Sequence, residues 1–227
     1  MASSGKLVRD TAEALPMSLA SVSSTMQALR QEEMVSMRGR GTSAASMTSE
    51  DAVTLLVALA SNAVYSQVLP ATKVLKAMPL RASILDSRFD GRPAATDDRT
   101  LGTVLVGLLE NSNTHDGVRI EIGTNTERGG YAIVYRTSAA GERGFVYSTF
   151  PLKTGANVPD PLTMFEGGPS FFTTAQFDGR VLTAMKASVD EPVLRSRLRV
   201  KRSTWSTLNT DDSETDLAET SRPPGFR

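Results

Sequence analysis

The spacing of apolar residues changes along the chain near residue 115, and this change limits the folds that the chain can adopt. Before it, apolar residues recur at helical spacing, as in "MTSEDAVTLLVALASN" (residues 47–62). After it, "GVRIEIG" (residues 117–123) alternates with period two, and "GYAIVYRT" and "GFVYSTF" repeat that pattern between glycine-rich breaks. Helices followed by a run of antiparallel strands are typical of an α+β fold.

The composition is that of an ordinary globular protein. The chain has 227 residues, of which 40% are hydrophobic and 22% are charged. It contains no uninterrupted apolar run long enough to cross a membrane, and "MASSGKLVRDTAEAL" lacks the apolar core of a secretory signal. We therefore expect a cytoplasmic protein that has no membrane partner.

The residue types exclude several kinds of catalytic and metal site. The sequence has no cysteine and a single histidine, His115, which lies in a polar stretch where a solvated or capping role is expected. "GTNTERGG" lacks the lysine that a phosphate loop needs, and "FEGGPSF" is not a nucleophile elbow. The aromatic residues of the strands are expected to pack in the core. We expect no catalytic residue, no metal and no cofactor, and hence a protein that is not an enzyme.

Two helices are predicted near the N-terminus. The first covers residues 5–14 and ends before Pro16. Ser18 is a suitable N-cap for the second, which should run from about Leu19 to Glu33. Its apolar stripe consists of Leu19, Val22, Met26 and Leu29. The opposite side is small, polar and free of negative charge, and it consists of Ala20, Ser21, Ser24, Gln27, Ala28 and Gln31.

The segment after the second helix is basic and rich in glycine. Residues 34–37 are predicted to form a short strand, and "RGRGTSAAS" (residues 38–46) to form a loop or arm. Helix, turn, helix and basic arm follow one another as in a helix-turn-helix module with a wing. In such a module Ser21, Ser24 and Gln27 would read bases. Ser23, Arg30, Arg38 and Arg40 would hold the DNA backbone.

Two further interpretations of this segment remain open. An amphipathic helix followed by a loop is also common on protein surfaces that bind nothing. Arg30 lies within reach of Glu32 and Glu33 on its own helix, where it can form an ordinary surface ion pair.

The N-terminal part also resembles a known group of proteins. It carries the pattern V-S-x-x-M-x-x-L-R from Val22, then G-R-G-x-S-A from Gly39 and M-T-x-x-D-A-x-x-L-L-x-A-L from Met47. These motifs resemble the N-terminal region of largely uncharacterised bacterial helix-turn-helix proteins of prophages and mobile elements. The resemblance covers roughly residues 5–60 and implies DNA binding and regulation of phage-type genes. The chain departs from winged helices at Glu33-Met34-Val35, where they usually have Gly-Leu-Val.

These patterns predict four regions and a winged-helix-like N-terminal module. A helix-turn-helix DNA-binding module covers residues 1–46, and a helical region with possible dimerisation covers residues 47–112. An antiparallel β-rich domain covers residues 113–200, and a disordered tail covers residues 201–227. The formal net charge is zero, but "RSRLRVKR" (residues 195–202) is basic and "DDSETDLAE" (residues 211–219) is acidic. The basic segment can be a strand edge, a phosphate contact or a partner of the acidic tail.

Several functions are compatible with this organisation. The first hypothesis is a sequence-specific DNA-binding protein that regulates transcription of phage-type genes, with double-stranded DNA as its partner and a homodimer as its state. The second is a phage-type DNA-packaging or assembly protein, for which a ring of many subunits is expected. A third is a protein-interaction module that uses the β-rich domain and does not bind DNA. A metal or nucleotide bound to the purified protein would instead revive an enzymatic function.

Overall fold

The computed structural model describes residues 3–37, 46–63, 65–85, 88–93, 99–125, 129–139, 141–153, 164–166 and 172–190. The helices are α1 (Ser4–Ala14), α2 (Leu19–Gln31), α3 (Ser49–Ala60), α4 (Tyr65–Lys76), α5 (Leu101–Glu110) and α6 (Gly179–Asp190). A 3-10 helix covers Ser112–Thr114. The strands are β1 (Leu80–Leu85), β2 (Arg88–Pro93), β3 (Val118–Asn125), β4 (Gly129–Ser138), β5 (Gly141–Ser148) and β6 (Thr173–Asp178). The α+β class is therefore confirmed.

The strands form one antiparallel sheet. Its six strands lie in the order β2-β1-β5-β4-β3-β6. The predicted meander is its centre, because β4 pairs with β3 on one side and with β5 on the other. β1 extends the sheet beyond β5, and β6 extends it beyond β3. The strands predicted from period-two alternation are thus confirmed, and β6 is an edge strand among the described residues.

The helices cover one face of this sheet. Alternate residues of β3 and β4, such as Ile120, Ile122, Ala132 and Val134, point to that face and join the same buried cluster as the helices. The opposite face carries a second, smaller cluster of buried residues that includes Ile84, Ile133, Val146 and Phe165. No helix among the described residues is long and apolar enough to cross a membrane.

α3 lies at the centre of the helical layer. Thr54 and every apolar residue from Ala52 to Ala58 are buried, so α3 has almost no exposed side. It contacts α2, α4, α5, α6 and β6. A helix that is apolar all round must be enclosed on all sides. The sequence left open whether a second subunit encloses it, and in this fold the chain's own elements do so.

α1 packs chiefly against α6. Leu7, Val8 and Ala12 are buried in the main cluster, and Asp10 accepts a hydrogen bond from the Ser188 hydroxyl of α6. Burial opposes ionisation of Asp10, but hydrogen bonds from Lys6 and Ser188 outweigh it and lower the pKa of this carboxyl below 3.8. The first helix of the predicted module is therefore fixed to the last described helix of the chain.

The structure corrects parts of the predicted organisation. β1 and β2 lie inside the region predicted to be helical, and they pair with each other as a hairpin. The pairing of β1 with β5, about sixty residues away, is a long-range interaction that the sequence pattern does not reveal. Residues 34–37 contain no strand. One buried cluster runs across the boundaries predicted at residues 46 and 112. The basic segment and the predicted tail lie outside the described residues.

His115 is not a solvated turn residue. It is 3% exposed, and its Nε2 lies 2.9 Å from the Leu108 carbonyl oxygen. Its Nδ1 lies 3.0 Å from the Thr183 hydroxyl on α6. These partners are a carbonyl and a threonine, so the contacts of His115 are not those of a catalytic triad. The imidazole links α5 to α6 inside the fold.

Gly179 allows this link to form. A Cβ built on Gly179 would lie 1.8 Å from the His115 carbonyl oxygen, which is far closer than two such atoms can approach. Gly179 begins α6 directly after β6, so its close approach to His115 sets where α6 leaves the sheet.

Gly179→Ala is expected to reduce the free energy of unfolding by about 2–3 kcal/mol, because backbone must move to admit the methyl group. Gly107→Ala is the matched control, since Gly107 is an exposed glycine inside α5 and its Cβ would meet nothing within 4 Å. That control should gain about 0.5–1 kcal/mol from helix propensity. Urea unfolding of both variants measures the two changes, and equal stability of both would contradict the close approach.

Candidate functional site

α2 carries most of the residues that the sequence predicts to contact DNA. Ser18 caps the helix, and its side chain accepts a hydrogen bond from the Ser21 amide. Val22, Met26 and Leu29 face the core as predicted, whereas Leu19 is 54% exposed because it begins the helix at the margin of the core. Ala28 was predicted on the outer side and is instead buried. The helix therefore has a wider buried side than its apolar stripe indicates.

The outer side of α2 is small and polar. Ser21, Ser23, Ser24 and Gln27 are exposed, and Arg30 is half-buried. The Ser24 hydroxyl donates to the Ser21 carbonyl at 2.9 Å, which leaves its oxygen able to accept. This surface therefore offers hydroxyl and carboxamide groups, and the helix itself has no acidic residue.

The C-terminal end of α2 is a tight turn that Glu33 closes in place of glycine. The Met34 amide donates to the Leu29 carbonyl at 2.9 Å, and the Glu33 amide donates to the Arg30 carbonyl at 3.1 Å. Glu33 has φ of 55°, the left-handed conformation in which glycine is usual. The chain thus makes the turn despite lacking the glycine of the winged-helix pattern, and α2 ends at Gln31 rather than Glu33.

Arg38 and Arg40, the remaining predicted DNA contacts, lie outside the described residues. The structure describes the two ends of their segment, and both ends are bonded to one buried carboxylate. Asp51 is 3% exposed and accepts from the Ser36 amide at 2.7 Å, before the arm. It also accepts from the Thr48 amide at 2.8 Å, after the arm. We call this set of hydrogen bonds the Asp51 clasp.

The Asp51 clasp was only partly visible in the sequence. Thr48 and Asp51 form a capping box at the start of α3, which the spacing of these residues indicates. The bond to Ser36 spans fifteen residues and carries no local signal. Asp51 is therefore a positioning residue for the predicted arm, in addition to its role as a helix cap.

Asp51→Asn is expected to lower the free energy of unfolding by about 2 kcal/mol, because an amide cannot accept on both sides and one buried amide loses its partner. Glu50→Gln is the matched control at the neighbouring position, since Glu50 is 60% exposed and pairs with Lys76. That control should cost less than about 1 kcal/mol. Chemical unfolding at neutral pH compares the two, and losses of equal size would show that the clasp does not hold the segment.

A second polar cluster lies on the sheet face opposite the helices. Glu121 is 9% exposed and accepts from the Tyr131 hydroxyl at 2.6 Å and from Gln176 Nε2 at 2.9 Å. Gly123 is the partner of Tyr131 on the neighbouring strand β3. Because Gly123 has no Cβ, the ring of Tyr131 can occupy that space and its hydroxyl can reach Glu121. Burial, together with the hydrogen bond to Glu121, raises the pKa of Tyr131. The phenol therefore stays protonated and donates to the carboxylate.

The exposed part of that face carries an arginine stacked on a tyrosine. The Arg119 guanidinium carbon lies 3.8 Å from the centre of the Tyr135 ring, and its Nη2 lies 3.4 Å from Glu142 Oε2. Burial is the largest cause of the raised pKa of Tyr135, and the negative charge of Glu121 adds to it. Sequence reasoning did not identify this cluster, although a glutamate within the buried pattern of β3 was a signal.

Comparisons with known proteins do not assign the chain to a family. No family model, no curated protein and no solved structure matches the chain. Among the described residues, no group of three or more histidine, cysteine, aspartate or glutamate side chains is arranged to hold a metal ion. The fold and the site therefore define an α+β protein with a small, polar exposed helix face, and the function must be argued from that face.

Proposed function

We propose that this protein binds double-stranded DNA sequence-specifically through the outer side of α2 and regulates genes of a phage or mobile element. The observation that carries the proposal is the exposure of Ser21, Ser23, Ser24 and Gln27 on one helix. A recognition helix must enter the major groove, so its outer side needs short side chains that can hydrogen-bond to base edges. The resemblance to prophage proteins supplies the biological setting.

The charges of α2 support a complex in which its first turns enter the major groove of DNA. The described helix has no carboxylate to repel phosphate, and its positive N-terminal end carries Ser18 and no acidic residue in the first turn. Glu32 and Glu33 lie beyond the C-terminal end, away from the first turns, which usually contact bases. Arg30 is the basic residue of the last turn, from which it can reach the DNA backbone.

The arm supplies the second part of the proposal. The Asp51 clasp holds both ends of the segment that contains Arg38 and Arg40 at the N-terminal end of α3, and Ser36 follows the last residue of α2 by five positions. Two arginines between glycines are suited to phosphate or to the minor groove, because the guanidinium binds phosphate strongly and glycine lets the backbone adapt. In the proposed complex, α2 reads bases while the arm contacts the adjacent backbone.

The test is fluorescence anisotropy with a duplex enriched from a random pool, measured across a salt series. Arg38→Ala/Arg40→Ala should make the slope of log affinity against log salt shallower by about one to two. Gln27→Ala should lose about 1–3 kcal/mol of discrimination for the enriched duplex and leave the slope unchanged.

Matched controls come from other elements of the chain. Gln67→Ala removes an exposed glutamine from α4, and Arg143→Ala/Arg180→Ala removes two exposed arginines from β5 and α6. Both controls should bind like the wild type. Absence of wild-type binding at low salt, or an equal slope change in the arginine control, would rule out this use of α2 and its arm.

The mass of the purified assembly separates regulation from packaging. A homodimer is expected for the regulator, because two copies would present α2 to two half-sites of a palindromic operator. A ring of many subunits would instead favour the DNA-packaging function.

A further inference from the structure

A cleft lies between the α1–α2 turn and the edge of the sheet. Ala14, Leu15 and Pro16 form its wall on the helical side, and Phe177 and Val181 form its apolar floor at the junction of β6 with α6. Arg119, Gln176 and Asp178 complete its lining, and its volume is about 400 Å³. We call it the turn cleft. Its size falls within the range of small-molecule sites, which are mostly apolar with a few polar groups.

Two opposite charges stand at its rim. Arg119 and Asp178 are register partners on β3 and β6, so both side chains project to the same face of the sheet. Both are well exposed, at 44% for the Arg119 side chain and 57% for Asp178. Their observed contacts use only part of their hydrogen-bonding groups. The Arg119 guanidinium stacks on Tyr135 and pairs with Glu142 through Nη2 at 3.4 Å. Asp178 accepts from the Arg180 amide at 2.9 Å and lies 3.9 Å from the Arg180 guanidinium. Each therefore keeps donor or acceptor capacity for a ligand.

These charges limit the chemistry of a ligand. A simple anion drawn to Arg119 would meet the carboxylate of Asp178, and a simple cation drawn to Asp178 would meet the guanidinium. A molecule that carries a carboxylate beside an ammonium group satisfies both, and an apolar side chain on it would cover Leu15, Phe177 and Val181. We propose that the turn cleft binds a small zwitterion of the α-amino-acid class with an apolar side chain, and that binding fixes the α1–α2 turn.

The position of the cleft allows a bound ligand to affect the placement of α2. The turn is held by the Leu15 amide on the Thr11 carbonyl and by the Met17 amide on the Ala12 carbonyl, both at 3.0 Å. α2 begins two residues after Met17, at Leu19. A ligand that contacts both the turn and the β6–α6 junction therefore favours one placement of α2 over others. The effect on DNA rests on the proposed function, and there the ligand should change DNA affinity several-fold.

The first experiment is made without DNA. L-leucine and L-phenylalanine should bind the wild-type protein saturably in isothermal titration calorimetry and raise its Tm. Their N-acetyl and amide derivatives, which each lack one charge, should bind at least about tenfold more weakly. Hydrogen exchange at the Leu15 and Met17 amides should slow when the free amino acid is present.

Charge-removing variants test the rim. Arg119→Gln and Asp178→Asn should each weaken amino-acid binding at least about tenfold. Asparagine can still accept from the Arg180 amide, so the start of α6 is preserved. Arg136→Gln is the matched control, because the Arg136 guanidinium lies over the Phe145 ring at 5.9 Å on the other face of the same sheet. Binding by this control should match the wild type.

Three results would overturn the inference. The first is the absence of saturable binding of either amino acid at millimolar concentration. The second is equally tight binding of the acetylated or amidated derivatives. The third is amino-acid binding that leaves hydrogen exchange at the Leu15 and Met17 amides unchanged. Failure of the protein to bind DNA in the anisotropy experiment would contradict the proposed function but not amino-acid binding by the turn cleft. Every measurement of amino-acid binding is made on the protein without DNA.

Discussion

The enclosure of α3 is the constraint on which the rest of this structure depends. Its side chains are apolar in almost every direction, so water is unfavourable on all sides and neighbouring elements must cover it. α2, α4, α5 and α6 provide that cover together with β6. As a result, residues of the predicted N-terminal module and of the sheet belong to one buried core.

This shared core determines how α2 is presented. Val22, Met26, Ala28 and Leu29 are committed to the interior, so the serine and glutamine side chains must face outwards. The Asp51 clasp uses the N-terminal end of α3 to hold both ends of the arm segment. The same helix thus organises the core and holds both ends of the proposed DNA-contacting segment. The α1–α2 turn beside the sheet edge lines the cleft in which we propose that a small ligand binds.

Local features of the sequence predicted local features of the fold. Ser18 caps α2 as expected, and the alternation of β3 identified a strand, because capping and periodicity depend on near neighbours. β1 was missed because its partner β5 lies about sixty residues away. The contacts that bury His115 and the hydrogen bond from the Ser36 amide to Asp51 also join residues that are distant in the sequence. The exposed residues of the candidate site were therefore predictable, and the contacts that position them were not.

Hydroxyl-radical footprinting of the protein with and without duplex DNA tests the central claim most directly. Leu19 begins α2, Met37 directly precedes the predicted arm, and the two are 54% and 55% exposed, so both should be protected when α2 and the arm bind DNA. Tyr135 lies on the sheet face away from the helices and should remain equally reactive. Protection of Tyr135 with unchanged labelling of Leu19 and Met37 would contradict DNA recognition through α2.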